Sequence, residues 1–290
     1  MLRKFLILLA FSLTLQLSVN AQVGNVYIAP ETKAEKKLEK KLYSLSQFGR
    51  ESYLWVRQPV LWRGGDWLKL GIVAAATFAV MPLDRSTMNL TNGGQRYYYS
   101  VPVVAGRVYG EWYSIGAVAG SFGIYGLLAR DTASKKISIE LLQAGIYAEL
   151  ATMMLKSIVG RARPYNSESP YIFHPFTIFN DGYHSFPSGH ATAAMALSTV
   201  MSRHARSTTL KILAYVPAGF TLFARIYQQK HWASDEILGS AIGFFVGNWV
   251  VDLHEGKRHR INVTSFYPTT VITYSLNQIP SGKLKLPAMK

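Results

Sequence analysis

Six stretches of mostly apolar residues, at 68–83, 112–129, 138–157, 190–203, 210–225 and 236–252, alternate with polar runs along the chain. Their lengths and their alanine and glycine content predict helices rather than strands. The expected fold is therefore all-α, a six-helix antiparallel bundle over residues 68–255. Residues 84–111 read as a long connection that turns at Gly93-Gly94, with Tyr97, Tyr98 and Tyr99 as a surface aromatic cluster. The loop 165–186 is rich in aromatics, among them Tyr165, Tyr171, Phe173, Phe176, Phe179 and Tyr183, and is placed to shape a pocket.

The flanks differ from the bundle. Residues 1–21 carry Leu2-Arg3-Lys4, an apolar run from Phe5 to Leu17, and Val19-Asn20-Ala21, the signs of a cleaved secretory signal. Residues 22–67 form a polar N-terminal segment, charged as far as KAEKKLEKK and then mixed with aromatics. Trp55, Trp62 and Trp67 suit a membrane interface or packing onto the bundle. Residues 256–290 form a C-terminal tail. Within it, the β-branched and aromatic run 262–276, punctuated by Pro268, predicts a short β-hairpin.

Composition narrows the partners. Of the 290 residues, 16% are charged and 49% hydrophobic, and the formal net charge is +15. That balance suits anionic lipid surfaces or phosphorylated substrates. No basic-aromatic repeat or recognised motif supports nucleic acid as the partner. With no cysteine, disulfides and thiolate metal sites are excluded. A mean hydropathy of +0.10 is modest for a chain that spans a bilayer many times. Only 112–129 stays free of charge over a spanning length, whereas the third segment carries Glu140 and Glu149.

Candidate chemistry lies at the ends of the apolar segments. Lys156 and Arg163 are seven residues apart, about two helical turns, so both can face one anion from a helix end that Pro164 terminates. Arginine donates two parallel hydrogen bonds to phosphoryl oxygens. Arg161 fits no such position and reads as a surface or headgroup contact. Pro187-Ser188-Gly189-His190 opens the fourth helix, where free N–H groups and a missing side chain make an anion site. His184, nearby, reads as an outer or exposed histidine. Arg225 adds a third cation. His231 and Asp235, four apart, would share a helix face and hydrogen-bond, fixing the imidazole tautomer. Each piece alone is matched by a bland reading: solvated cations, an ordinary helix cap, a surface His–Asp pair.

Together, Lys156–Pro164 (KSIVGRARP), Pro187–His190 (PSGH) and Arg225–Asp235 (RIYQQKHWASD) resemble the type 2 phosphatidic acid phosphatase family, which shares its core with bacterial acid phosphatases and vanadium haloperoxidases. The resemblance covers roughly residues 65–255. One position departs from it: Ala224 stands where the family usually has serine before the arginine. The resemblance implies that His231 is the nucleophile of a phosphohistidine intermediate, that Asp235 orients it, and that His190 protonates the leaving oxygen. It implies Lys156, Arg163, Ser188, Gly189 and Arg225 as phosphate ligands, with no metal and no cofactor. The expected substrate is a lipid phosphate or diphosphate: phosphatidic acid, a polyprenyl diphosphate or a phosphorylated glycolipid. An exported soluble acid phosphatase, a haloperoxidase and a scaffold with a relic pocket are the alternatives. The expected place is the cell envelope, with the site facing the periplasm or exterior. A cleaved signal followed by six full spans would put the site on the opposite side, and sequence alone leaves this conflict standing, as it does the oligomeric state.

Overall fold

The computed structural model describes residues 44–91, 96–167 and 169–256. The signal, the 22–41 leader, the Gly93-Gly94 turn and the 262–276 hairpin all lie outside these residues. Among the described residues the chain is helical, without strands; one isolated antiparallel bridge joins Arg161 and Phe173.

In chain order the helices are α1 (Leu45–Val56), α2 (Gln58–Leu61), α3 (Gly64–Val80), α4 (Asp84–Thr91), α5 (Val101–Tyr109), α6 (Trp112–Leu128), α7 (Thr132–Val159), α8 (Gly189–His204), α9 (Thr208–Leu213), α10 (Val216–Tyr227) and α11 (Ala233–His254). The six apolar stretches correspond to α3, α6, α7, α8, the α9–α10 pair and α11. The fifth is broken because Pro217 sits in the first turn of α10, where its missing N–H is no loss. The expected loop 84–111 instead contains α4 and α5. A 3-10 turn at Met81–Leu83 lets α3 run into α4, and Pro102 starts α5. Short helices with mixed composition leave little periodic signal.

The membrane expectation shifts as well. By length and composition, Gly64–Thr91, Thr208–Tyr227 and Ala233–His254 are long and apolar enough to cross a membrane, whereas Trp112–Leu128 is shorter. Large apolar side chains point outward from these helices, including Leu68, Ile72 and Phe78 on α3 and Phe220 and Phe223 on α10.

Helices α8 and α11 pack along each other, α6 lies on α7, α5 on α10, and α7 touches both α8 and α11. The α8–α11 approach is close because Gly239, Gly243 and Gly247 form a stripe. A Cβ at Gly239 would lie 2.4 Å from the Ser188 carbonyl oxygen, and one at Gly243 would lie 2.3 Å from that of Thr192. Side chains of Ile115, Phe122, Leu141, Tyr147, Leu197 and Val250 fill the centre. This packing sets the C-terminal ends of α7 and α10 beside the N-terminal ends of α8 and α11, and so gathers the three motifs at one end.

Candidate active site

Helix α7 stops at Gly160, whose left-handed φ of 60° places a would-be Cβ 1.7 Å from the His174 carbonyl oxygen, so only glycine fits. The turn that follows separates three cations. Lys156, in the last turn, donates to the His184 carbonyl at 2.6 Å. Arg163 donates to the Asp181 carboxylate at 2.6 Å and to the Asp181 and Lys230 carbonyls.

Arg161 corrects the sequence reading: it is not a surface contact but fully buried. Its guanidinium bridges Asp84 at 2.7 Å and Asp235 at 2.6 Å and also donates to Ser234 and the Pro170 carbonyl. The rings of Phe173, Phe186 and Trp232 surround it at 5.6 to 5.9 Å. A buried charge survives only when paired and hydrogen-bonded, and its side-chain partners Ser234, Asp235 and Asp84 lie 73, 74 and 77 residues away in sequence.

Ser188 caps α8 by accepting from the Ala191 N–H at 3.3 Å. A Cβ on Gly189 would meet nothing closer than 3.5 Å, the Glu149 carboxylate, so the backbone there is open to the pocket. Arg225, at the end of α10, donates to Gln228 at 3.1 Å.

His231 and Asp235 do not share a helix. Helix α11 begins at Ala233, and His231 lies before it. The His231 Nδ1 is 2.8 Å from the Ser185 carbonyl, while the Asp235 Oδ2 is 3.6 Å away. A carbonyl only accepts, so Nδ1 carries the proton and Nε2 keeps its lone pair. Asp235 spends its oxygens on Arg161, Ser185 Oγ and the Trp232 N–H. It therefore braces the strap carrying His231 more than it bonds the ring.

Burial, reinforced by Arg163, Lys156 and Arg225, holds His231 well below an ordinary histidine pKa. The His190 ring centroid is 6.4 Å from that of His231. Burial and then Arg225 and Lys156 push His190 down to about 4, against the opposing pull of Glu111. Glu111, at the start of α6, sets its Oε1 3.3 Å from His190 Nε2. Its own carboxyl is held below the usual range, first by His190, against burial.

All eight predicted residues are thus brought to one end of the bundle. Sequence reasoning missed Glu111, Asp84, Ser185, Ser234 and the inward role of Arg161. A lone carboxylate or serine in a connection carries no spacing signal. The GRARP run alone, with arginine two residues before the motif arginine, offered a hint. Among the described residues, no group of three or more His, Asp or Glu side chains is arranged to hold a metal ion.

The segment that carries these residues is similar to known proteins. Residues 139–259 match the PAP2 superfamily model. The chain is 39% identical over 74 residues to a lipid A 1-phosphatase of Porphyromonas gingivalis, covering 24% of this chain and 17% of that protein. It is 28% identical over 122 residues to a lipid A 4'-phosphatase of the same organism, covering 41% of this chain and 51% of that one. The chain therefore spans about half or less of the length of these curated relatives. The crystal structure of a transmembrane PAP2-type phosphatidylglycerolphosphate phosphatase from Bacillus subtilis shares the fold. Its TM-score is 0.52 at 21% identity, covering 67% of this chain and 96% of that one. The three motifs all fall within residues 139–259, the segment that is similar to the PAP2 superfamily, and the helical architecture is similar to that of a PAP2-type enzyme.

Proposed function

We propose that this protein is a membrane lipid-phosphate phosphatase that works through a phosphohistidine on His231. One observation carries the reading: the His231 Nδ1–H is committed to the Ser185 carbonyl, which leaves Nε2 unprotonated beside three buried or half-buried cations. The Nε2 lone pair attacks phosphorus, and the P–O bond to the lipid breaks. His190 gives its proton to the departing oxygen. It then takes one from water as water attacks the N–P bond, so inorganic phosphate leaves and His231 is regenerated. Lys156, Arg163 and Arg225, with Ser188 and the N–H groups from Gly189 onward, stabilise the charge on the transferring group. The bound anion offsets Arg225 and Lys156, which add to burial in keeping His190 neutral in the empty site, so substrate itself helps to protonate the acid.

Phosphatidic acid, a polyprenyl diphosphate and a phosphorylated glycolipid are the candidate substrates; the named activities of the relatives favour lipid A among them. The outward apolar faces support a lipid over a soluble ester. The site is proposed to face the periplasm or exterior.

The test is phosphate release by purified protein from these lipids and a soluble aryl phosphate, in the presence of EDTA, beside His231→Ala. Release from a lipid that depends on His231 and survives EDTA is expected. Release from the aryl phosphate alone would move the protein to the soluble acid phosphatases. Halide oxidation on adding vanadate would move it to the haloperoxidases.

A further inference from the structure

Beside the phosphate site a cleft of about 320 Å³ opens between the turn at Tyr98 and Tyr99, the motif-loop residue Tyr165, and Gln228, Gln229 and Lys230. Its size falls in the range of small-molecule sites. Both walls are anchored. The Tyr97 N–H donates to the Tyr227 hydroxyl at 2.9 Å, which pins the turn to the end of α10. On the other side, the Tyr165 hydroxyl donates to Asp181, the partner of Arg163. The cleft walls are tied to the phosphate ligands. Arg163 donates to the Lys230 carbonyl and lies over the Tyr165 ring, and Arg225 donates to the Gln228 side-chain oxygen at 3.1 Å.

A further observation points to a ligand. Gln228 is 3% exposed, and its Nε2 has no hydrogen-bond partner among the described residues. A buried amide donor without an acceptor costs stability unless something fills the place. The other end of the same amide accepts from Arg225, which ties this place to the proposed phosphate ligands.

The chemistry of the walls selects the occupant. The rings of Tyr98 and Tyr99 offer flat apolar faces to the C–H face of a pyranose, and amides and an ammonium meet its hydroxyls. Lys230, 4.3 Å over the Tyr165 ring, repels a cationic headgroup. A glycerol backbone presents no ring face to stack. We infer that this cleft is a subsite for a phosphorylated sugar, so that the oxygen protonated by His190 belongs to the sugar of a glycolipid. The inference rests on the phosphatase reading above and adds the residues that select among its candidate substrates.

Binding and turnover test it separately. In the His231→Ala background, affinities for glucose 1-phosphate and glycerol 3-phosphate would be measured by titration calorimetry in detergent. The sugar ester is expected to bind about tenfold tighter, and the added pair Tyr98→Ala and Tyr99→Ala to abolish that preference. In turnover, kcat/KM for a phosphorylated glycolipid relative to a phosphatidic acid of matched acyl chains should fall about tenfold in the same tyrosine pair, with the melting transition retained. Equal affinities in the parent, or equal loss on both lipids, would overturn the subsite. So would a preference that ignores the tyrosines and disappears with Lys230→Met, because the cleft would then read a second phosphoryl group. Sugar-ester preference without phosphate release from any lipid would support the subsite and sink the phosphatase reading instead.

Discussion

The two ends of the bundle bury the same residue types in opposite company. At the motif end, His231 and His190 lie among Lys156, Arg163 and Arg225. At the other end, His254 and His204 lie among carboxylates. His254 contacts Glu51 at 3.3 Å and Glu140 at 3.4 Å, His204 meets Glu140, and Gln143 donates to Glu51 at 2.7 Å. Nineteen residues of α11 separate Asp235 from His254, about 28 Å along the axis. The second cluster is neutralised from within and clamps α1 onto the bundle, while Trp55 stacks on Tyr147 at 5.2 Å. The first sets a histidine with a free lone pair among Lys156, Arg163 and Arg225, company that suits an anion. Burial of a titratable group therefore does not by itself mark a candidate reaction centre; the sign of its surroundings distinguishes the two clusters.

The sharpest break of this comparison is His231→Ala. Phosphate release should fall about 10⁴-fold or more while the melting transition stays cooperative, as checked by steady-state kinetics beside circular dichroism. Next comes Arg161→Met, which leaves Asp84 and Asp235 buried without their cation. It should cost about 3–5 kcal/mol by denaturant titration and lower kcat as well, because the brace behind His231 is lost. The mirror experiment at the far end is His254→Ala. It should lower stability by a few kcal/mol with kcat per folded molecule unchanged; a large loss of kcat would merge the two ends into one functional unit.

Two smaller effects concern pH. Glu111 favours the charged form of His190, so Glu111→Gln lowers the pKa of the proposed acid. The alkaline limb of the kcat profile should then move down by about one unit, with the acid limb in place. At the opposite end, burial raises the Glu51 pKa, but the hydrogen bonds from His254 and Gln143 outweigh it and hold the group below its ordinary value. A depressed carboxylate stabilises the fold above its unfolded pKa and loses that contribution as the pH falls through the folded value. Protease cleavage within α1 should therefore increase below about pH 4.3. Cleavage that rises with alkaline pH instead would sink the clamp.

The six apolar stretches and the three motifs were legible from the chain alone, because helix periodicity and phosphoryl chemistry both demand residue types at short, regular spacings. Lys156 and Arg163 are spaced by a helix, and Ser188 and Gly189 mark a helix start; such local geometry is written in neighbouring residues. The roles of Arg161 and Ser185 were not legible, nor was the placing of His231 ahead of α11 rather than on it. Arg161 is buried because Asp84, 77 residues earlier, and Asp235, 74 residues later, meet around it. Glu111 reaches His190 only because α6 starts where α8 starts. Sequence by itself determined the six apolar helices and the residue types gathered at the candidate site. The tertiary structure alone decided which carboxylate braces, which carbonyl sets the imidazole tautomer and which histidines lie among cations rather than carboxylates, since those outcomes depend on long-range partners and on burial that no local spacing encodes.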